Sequence, residues 1–352
     1  MAIDGQKLDR FMNQAVGELG AVANTALVLL GERLGLYKAM AGAGPITSAE
    51  LANKTGTTER YVREWLSAQA AGGYVDYDPA AKTFTLPEEH AVALAQEDSP
   101  AYLPGGFQVC VSMIRDMDKM ERAFRTGNGF PWHDHDPWLF EGTQRFFRAN
   151  YIGNLVNSWI PALDGVEAKL KAGASVADIG CGWGASTILM AQAYPNSRFV
   201  GFDYHEASID AARKAARKAG VMNRVTFQAA PAKSFPGTGY DLVAFFDCLH
   251  DMGDPVSAAA HVKQALAPDG VWMVVEPRAG DRLEDNLNPV GRIFYAASTM
   301  VCTGTSLSQE VGMALGAQAG EGRLRDVLRQ GGFTRIRRAA ETPFNMVLEV
   351  RP

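Results

Sequence analysis

A glycine loop between two short apolar segments constrains the fold of this chain more than any other feature of the sequence. Residues 175–180 read as a buried strand, a helical pattern begins after Gly184, and residues 198–203 read as a second strand that ends on an acid, Asp203. A strand, a glycine loop, a helix and a second strand ending on an acid form a nucleotide-binding βαβ unit. Because glycine adopts conformations that a side chain forbids, a ligand can approach this main chain closely. Asp203 is placed to accept hydrogen bonds from both hydroxyls of a ribose.

The residues of the loop favour a cationic ligand over a dinucleotide. The loop reads D-I-G-C-G-W-G from Asp178 to Gly184, and the dinucleotide pattern G-x-G-x-x-G would need a glycine where Thr187 stands. A carboxylate at Asp178 would repel a pyrophosphate at close range, but it can accept a hydrogen bond from an ammonium group. Asp178 and Asp203 therefore suit a cationic, ribose-bearing ligand. The same pattern argues against a nicotinamide-dependent oxidoreductase.

Composition and charge indicate a globular protein without an overall attraction to polyanions. The 352 residues are 47% hydrophobic and 21% charged, with a formal net charge of -5, which does not favour nucleic acid or anionic membrane as a partner. The beginning of the chain lacks a signal-peptide pattern, and no uninterrupted apolar run approaches the ~20 residues of a membrane span. The cysteines, at positions 110, 181, 248 and 302, have no metal-ligand spacing. We expect a soluble, cytoplasmic protein whose cysteines are small core residues.

The first part of the chain is predicted to be mainly helical. Residues 6–41 carry apolar residues at steps of three and four, which predicts a helix. Residues 26–30 would place apolar side chains on almost every face of that helix. That second stretch indicates burial on most faces, either in a core or in a subunit interface.

Residues 46–95 read as two short helices and a hairpin, a pattern that resembles a winged helix-turn-helix. A capping box at Thr47 or Ser48 opens the first helix, and Thr58 caps the second, over 59–71. The region holds four basic and seven acidic residues, a net charge of -3, whereas phosphate binding requires a basic face. The charge favours a dimerisation and substrate-capping module over DNA binding.

The connecting region, 98–168, contains an irregular aromatic loop over 127–138. His133 and His135, each followed by an aspartate, could bind a metal, but H-x-H on an exposed, proline-bounded loop is more typical of a solvated turn, and no metal is predicted. The helix that follows carries aromatic side chains that could belong to the core or cover a ligand: Phe146, Phe147, Tyr151 and Trp159.

From residue 175 onward, strands and helices alternate, which predicts a parallel, doubly wound sheet. The predicted strands are 175–180, 198–203, 224–228, 241–247, 271–276, and two near 334–340 and 344–351. The short link between the last two requires an antiparallel hairpin. The predicted fold is therefore α/β, a Rossmann-like seven-stranded sheet with a C-terminal antiparallel hairpin, preceded by a mainly helical winged-helix domain. We expect domains over 1–97 and 169–352, a helical linker or lid over 98–168, and an insertion over 278–320.

The half of the chain from about residue 170 resembles the class I methyltransferases that use S-adenosylmethionine. The resemblance rests on the glycine loop, the acid that ends the second strand and the terminal hairpin. It implies a cofactor lying across the carboxyl ends of the strands. The implied cofactor-binding residues are Asp178, Gly180, Cys181, Gly182 and Gly184 toward the methionine part, Asp203 on the ribose, Tyr204 against the adenine, and Ala230 and Asp247 after the third and fourth strands. Many members carry an acid or amide where Ala230 stands, and Lys233 and Ser234 are the polar residues nearby.

The residues after the fourth strand resemble a narrower group, the small-molecule O-methyltransferases with a leading winged helix. These proteins carry a His-Asp pair there, matched by His250 and Asp251, usually followed by Trp where Met252 stands. The resemblance implies His250 as general base and Glu276 as the group that orients it. A free imidazole has a pKa of ~6.5, so we expect a mostly uncharged side chain able to take a proton from a hydroxyl. Asp247 and Asp251 remain alternatives, as the base or as helix caps.

These features together predict a homodimeric methyltransferase, paired through its N-terminal domain. It would transfer a methyl group from S-adenosylmethionine to a small, largely apolar acceptor by O-methylation and leave S-adenosylhomocysteine. The alternative is a winged-helix transcriptional regulator that senses S-adenosylmethionine. Two further expectations are a helix over 293–300 beside the active site and an exposed His261.

Overall fold

The structure is a computed structural model and describes residues 3–352. It consists of two compact units. The first runs through Val111 and includes Glu141–Ala149, and the second comprises Ser112–Phe140 and Asn150–Pro352. The helices of the segment 98–168 are thus divided between the two units.

The first unit is mainly helical with one small hairpin. Its elements are α1 (Gly5–Arg33), α2 (Leu36–Met40), α3 (Ser48–Thr55), α4 (Glu59–Ala71), β1 (Asp76–Asp78), β2 (Thr83–Thr85), α5 (Glu88–Leu94) and the first part of α6 (Pro104–Arg115). A capping box starts α3, since Thr47 accepts from the Glu50 N–H while Glu50 accepts from the Thr47 N–H. The predicted box is confirmed at Thr47. Thr58 stands at the N-cap of α4 but makes no side-chain cap hydrogen bond.

Helix α1 is more exposed than its sequence predicted. Within 26–30, Val28 and Leu29 are buried, whereas Leu30 is 48% exposed, so the core of a single chain does not bury most faces of that stretch. Helix α1 is also the one helix, within residues 3–352, that is long and apolar enough by length and composition to cross a membrane. Only 22% of its most apolar stretch is buried.

The second unit is built on a seven-stranded sheet in the order β5-β4-β3-β6-β7-β9-β8. The strands are β3 (Ser175–Ile179), β4 (Arg198–Asp203), β5 (Val225–Ala229), β6 (Tyr240–Phe246), β7 (Leu266–Pro277), β8 (Arg335–Glu341) and β9 (Asn345–Arg351). The first five are parallel, and β9 pairs antiparallel with both β7 and β8. This confirms the predicted sheet and its terminal hairpin.

Helices cover the sheet and position its carboxyl edge. They are α7 (Met117–Thr126), α8 (Trp138–Asn154, shared with the first unit), α9 (Val166–Ala172), α10 (Ala185–Ala193), α11 (Glu206–Lys218), α12 (Pro255–Ala265), α13 (Pro289–Ala297), α14 (Thr303–Leu307) and α15 (Gly320–Gln330). The strand order reverses between β3 and β6, so a crevice opens at the carboxyl ends of these two neighbouring strands.

The segment 278–320 forms helices that return to this edge. A π-helical turn, Ser298–Cys302, joins α13 directly to α14. Helix α14 packs against the 3-10 turn Leu249–Asp251, which follows β6. The insertion therefore brings Cys302 and its neighbours to the end of the fourth parallel strand.

Candidate functional site

Three glycines after β3 form a loop whose backbone faces open space at its centre. Gly180, Gly182 and Gly184 have φ values of 70°, 51° and 79°, a region that L side chains rarely adopt. A Cβ on Gly184 would lie 2.6 Å from the Phe227 ring, whereas a Cβ on Gly182 would meet nothing within 4 Å. Cys181 between them is buried. The loop is thus packed from behind and open in front, as a close backbone approach by a ligand requires.

Asp178, at the end of β3, is fully buried and only half satisfied. Its Oδ2 accepts from the hydroxyls of Ser186 and Thr187, each at 2.6 Å, while its Oδ1 is buried with no partner. Burial, together with the charge of Asp203, raises the pKa of this carboxyl to about 6, although the hydrogen bonds from the two hydroxyls act to lower it. An unpartnered carboxylate oxygen suits an added donor, above all a cation. Sequence reasoning missed the two hydroxyls, since their spacing carries no motif of its own.

Asp203 fixes the loop to the end of β4. Its two oxygens accept from the backbone N–H groups of Gly182 (2.9 Å) and His205 (2.8 Å). Burial raises the pKa of this carboxyl as well. Tyr204 beside it is half-exposed, and Ala230, after β5, donates its N–H to the Asp203 carbonyl at 2.9 Å. These three predicted cofactor residues therefore lie together on the same edge of the sheet.

Asp247 follows β6 in a left-handed conformation, with φ of 50°. Its Oδ1 accepts from Asn345 Nδ2 at 2.6 Å, and its Oδ2 is buried with no partner. Burial, with Glu276 next, raises its pKa well above the usual range. Asp247 is not the cap of the next helix, because Asp254 accepts from the Ser257 N–H at the start of α12. Asn345, on the terminal hairpin, was not predicted as a site residue.

His250 lies in the 3-10 turn after β6, between two carboxylates. Its Nδ1 donates to Glu276 Oε2 at 2.5 Å, and its Nε2 lies 3.1 Å from Asp251 Oδ1. Glu276 Oε1 accepts from the Leu249 N–H at 2.8 Å, which fixes the carboxylate. Burial acts to lower the pKa of His250, but Glu276 and Asp251 outweigh it and raise this pKa well above 6.5. The expectation of a mostly uncharged imidazole was therefore wrong for this arrangement.

Cys302 completes a buried cluster with His250 and Asp251. One potential ligand atom from each residue lies within 4.8 Å of the others, the one such group of three among residues 3–352. Burial, with Asp251 next, raises the pKa of Cys302 to about 12, so the thiol keeps its proton and can donate it in a hydrogen bond. The cluster is therefore explained by a protonated Cys302 thiol next to the ion pair of His250 and Asp251, and it needs no metal ion.

The aromatic segment, defined here as residues 129–140, differs from the solvated turn that its sequence suggested. His133 is exposed, but His135 is 4% exposed and pairs with the buried Asp116. The Phe130 N–H donates to the Gly304 carbonyl of α14 at 2.8 Å. At the other end, the Phe140 ring lies 4.8 Å from that of His205. The segment thus reaches from α14 to the residues that follow β4.

His261 and the aromatic residues that follow the loop 127–138 are two further groups of side chains with predicted environments. His261 is half-buried, since its Nε2 lies 2.7 Å from the Phe235 carbonyl and its ring packs on the Phe235 ring, so the predicted exposure was wrong. Tyr151 and Trp159 are core aromatics of the second unit, and Tyr151 packs on Phe246 beside Asp247. Phe146 and Phe147 belong to the first unit.

Relatives among curated proteins match short parts of the chain. The 27-O-demethylrifamycin SV methyltransferase of Amycolatopsis mediterranei is 34% identical over 103 residues, 29% of this chain and 38% of that protein. The trans-aconitate 2-methyltransferase of Paracidovorax citrulli is 33% identical over 111 residues, 32% of this chain and 42% of that protein. The chain thus spans less than half the length of these two relatives.

Solved structures share the fold over nearly the whole chain. The mitomycin 7-O-methyltransferase MmcR has a TM-score of 0.70 and 20% identity, covering 99% of this chain and 100% of its own. Human N-acetylserotonin methyltransferase, solved with SAM, has a TM-score of 0.69 and 16% identity, covering 100% of this chain and 99% of its own. At these identities the likeness establishes the fold alone.

Family models match two separate parts of the chain. Residues 22–96 match the model described as an Rv2258c-like winged HTH domain, and residues 170–332 match the model described as a methyltransferase domain. The glycine loop, the acids at its edge and His250 all lie within the second match. This chain therefore joins an N-terminal winged helix-turn-helix domain to a methyltransferase domain.

Proposed function

We propose that the chain transfers a methyl group from S-adenosylmethionine to a hydroxyl of a small, largely apolar acceptor. The observation that carries the proposal is the pair of buried carboxylate oxygens without partners, on Asp178 and Asp247, beside the open glycine loop. A buried carboxylate oxygen without a partner costs free energy in the free protein, and a cationic ligand would supply the missing hydrogen-bond donor. The similar structures, a mitomycin 7-O-methyltransferase and an N-acetylserotonin methyltransferase, support the same direction.

The residues at the edge of the sheet fit this cofactor chemically. Asp178 and Asp247 offer acceptors to an ammonium group, and the Gly182 backbone leaves room for a ligand. Each oxygen of Asp203 has one backbone donor and keeps a second lone pair for a ribose hydroxyl. When bound, S-adenosylmethionine supplies a methyl group on a positively charged sulfur. Gly180, Cys181 and Gly184 would contribute backbone to this site, and Tyr204 and Ala230 would lie toward the adenine.

His250 is the proposed general base, and Glu276 the group that holds it. Glu276 keeps one proton on Nδ1, so the other nitrogen, Nε2, must exchange a proton with the acceptor hydroxyl. In the free protein Asp251 holds the proton on Nε2. His250 is therefore competent as a base only in the fraction of molecules that have lost this proton, which makes the rate depend on pH.

The test combines calorimetry with a labelled transfer assay. We expect purified protein to bind S-adenosylmethionine and S-adenosylhomocysteine, and to transfer labelled methyl from the former to at least one member of a hydroxylated metabolite panel. Failure to bind either compound would refute the proposal. Binding without any transfer would favour the regulator, the alternative function.

The charge of the winged domain supports the enzyme over the regulator. On α4, the candidate recognition helix, Arg60 pairs with Glu64 and Arg63 pairs with Glu59. Since these cations are already paired with acids of the same helix, little positive charge remains for a phosphate backbone. We expect no salt-dependent shift of duplex DNA in a gel at low salt.

We further propose that the protein is a cytoplasmic homodimer paired through α1. One side of this helix carries exposed apolar residues at helical spacing: Leu8, Phe11, Met12, Val16, Leu19 and Val22. A second copy of the same stripe would remove this surface from water. The domain organisation that we propose keeps α1 and the winged helix in one module, 1–97, and the methyltransferase domain in another, 169–352.

A further inference from the structure

A second histidine, His135 in the aromatic segment 129–140, has one ring nitrogen unused. The side chain of His135 is 1% exposed, and its Nδ1 lies 2.8 Å from Asp116 Oδ2. Asp116 is fixed in turn, since it accepts from Lys119 Nζ at 2.9 Å and from the Asp136 N–H at 3.0 Å. The ring packs on Phe130, with centroids 4.1 Å apart. His135 is therefore held in one orientation by the Phe130 ring and by the contact of Nδ1 with Asp116.

The contact with Asp116 determines which nitrogen of His135 carries the proton. A carboxylate can only accept, so Nδ1 holds the hydrogen and Nε2 keeps its lone pair. Burial, opposed by Asp116, lowers the pKa of His135 below 6.5, so the ring is neutral at pH 7. Its Nε2 is buried and has no partner. A fixed acceptor without a donor costs free energy in a protein interior, unless a ligand supplies the donor.

The position of His135 links it to the His250 cluster through α14. Phe130, five residues before His135, is hydrogen-bonded to Gly304, and Cys302, two residues before Gly304, lies in the cluster. The charge of Asp251 is close enough to influence the His135 ring. Helix α14 also carries Thr305, whose buried Oγ1 has no partner. Two unpartnered polar atoms, His135 Nε2 and Thr305 Oγ1, thus lie on two segments that are joined at α14.

The two histidines are complementary in hydrogen bonding. His250 lies between two carboxylates, so both of its nitrogens act as donors in the free protein. His135 presents one acceptor. A ligand held between the two needs one group that exchanges a proton with His250 and another that donates to His135.

We propose that His135 is an acceptor-binding residue whose Nε2 accepts a hydrogen bond from a second polar group of the methyl acceptor. The substrate class is then a small molecule with at least two hydroxyl or N–H groups, one methylated and the other held by His135. This inference rests on the proposed methyl transfer at His250. The loop that carries His135 selects the acceptor, while Asp116 positions the ring.

The experiment uses the full chain saturated with S-adenosylhomocysteine and a panel of simple probes. Catechol, resorcinol and hydroquinone place two hydroxyls at three spacings, and their monomethyl ethers each lack one donor. We expect at least one diol to bind about tenfold more tightly than its ether, the effect of one hydrogen bond. In long-range proton–nitrogen spectra of histidine-labelled protein, that diol should move the Nε2 resonance of His135, assigned with His135→Gln.

Variants of the same loop provide matched controls. His135→Phe should abolish the preference for the diol, and His135→Gln, which keeps an acceptor oxygen, should retain part of it. His133→Phe changes the exposed histidine two residues away and should keep the full preference. Equal binding of every diol and its ether, or a preference that survives in His135→Phe, would overturn the proposal. Thermal unfolding of each variant separates a folding defect from a binding defect.

The outcomes also separate this inference from the proposed function. Diol preference through His135 without methyl transfer would contradict the methyltransferase activity and leave the binding role of His135 standing. Methyl transfer to a diol acceptor at equal kcat/KM in wild type and His135→Phe would do the reverse.

Discussion

At the scale of single residues, Thr187 shows how the loop departs from a dinucleotide site. The position where the dinucleotide pattern has glycine carries a hydroxyl that donates to Asp178 Oδ2 at 2.6 Å. That bond, with the one from Ser186, occupies one carboxylate oxygen and leaves the other for a ligand. Thr187, which stands in place of the glycine, thus donates a hydrogen bond to the Asp178 carboxylate. A carboxylate at this place suits a cation rather than a pyrophosphate.

The first prediction concerns Asp178 and pH. With a raised pKa of about 6 in the free protein, its carboxyl must lose a proton before it can accept from a cationic cofactor. Affinity for S-adenosylhomocysteine, which keeps the ammonium group, should therefore be full above this pKa and fall about tenfold per unit at lower pH. Calorimetric titrations between pH 5 and 8 measure it. Asp178→Asn should bind more weakly at pH 7.5 and lose the dependence near pH 6, whereas Asp210→Asn, an exposed control, should keep both.

The second prediction concerns the charge on His250. Because Glu276 and Asp251 raise its pKa, the deprotonated base accumulates only as pH rises, and the rate should climb above neutral pH. Asp251→Asn removes one carboxylate and lowers this pKa, so the rising limb should move to lower pH. His250→Ala should lower kcat by ~100-fold or more with unchanged affinity for S-adenosylhomocysteine. The measurement is kcat against pH; an unmoved limb in Asp251→Asn would contradict the assignment, and His261→Gln serves as control.

At the scale of elements, the aromatic segment 129–140 and helix α14 depend on each other. The segment crosses α14 so closely that a Cβ on Gly129 would lie 1.9 Å from the Ser308 nitrogen. It places His135 on one side and packs Phe140 on His205, after β4, on the other. The contact with the segment thus adds to the packing of α14 against the turn Leu249–Asp251.

The third prediction tests this contact. Gly129→Ala must push the segment off α14, because backbone atoms cannot give way. We expect a lower melting temperature and at least about tenfold slower methyl transfer, since a displacement near 1 Å is costly in an active site. Gly127→Ala is the matched control: its φ of 71° adds strain of about 1 kcal/mol, but its Cβ would meet nothing within 4 Å. Equal transfer rates in both variants would contradict the role of the contact.

At the scale of the whole molecule, α1 leaves a long apolar stripe in water. Leu8, Phe11, Val16 and Leu19 are exposed although the helix carries buried residues at its other end. A monomer that keeps such a surface uncovered is prone to association. Pairing with a second copy is the proposed solution.

The fourth prediction concerns assembly. Wild-type protein should be dimeric by light scattering, and Val16→Asp with Leu19→Asp should be monomeric with its cofactor affinity retained, because buried charges would oppose pairing. Arg10→Asp is the control, since nine residues at 100° each place it half a turn from Leu19. A monomeric wild type, or protein that sediments with lipid vesicles, would instead assign the stripe to another partner.

The sequence by itself determined the fold class and the edge of the sheet where the site lies. Periodicity is local, so it specified the strands, the helices and the glycine loop, and parallel strands bring their carboxyl ends together. That reasoning placed His250 and Glu276, 26 residues apart, at the ends of neighbouring strands.

Only the tertiary structure decided the partners and charges of those residues. Asn345 lies 98 residues from Asp247, and Asp116 fixes His135 across 19 residues, separations that no periodic pattern encodes. The position of Cys302 beside His250 is likewise not encoded in a local pattern. Nor is the charge of His250, whose pKa two carboxylates raise although burial acts to lower it. Pairing and burial depend on the packing of distant segments, and a free acceptor such as His135 Nε2 can be recognised only when all of its neighbours are known.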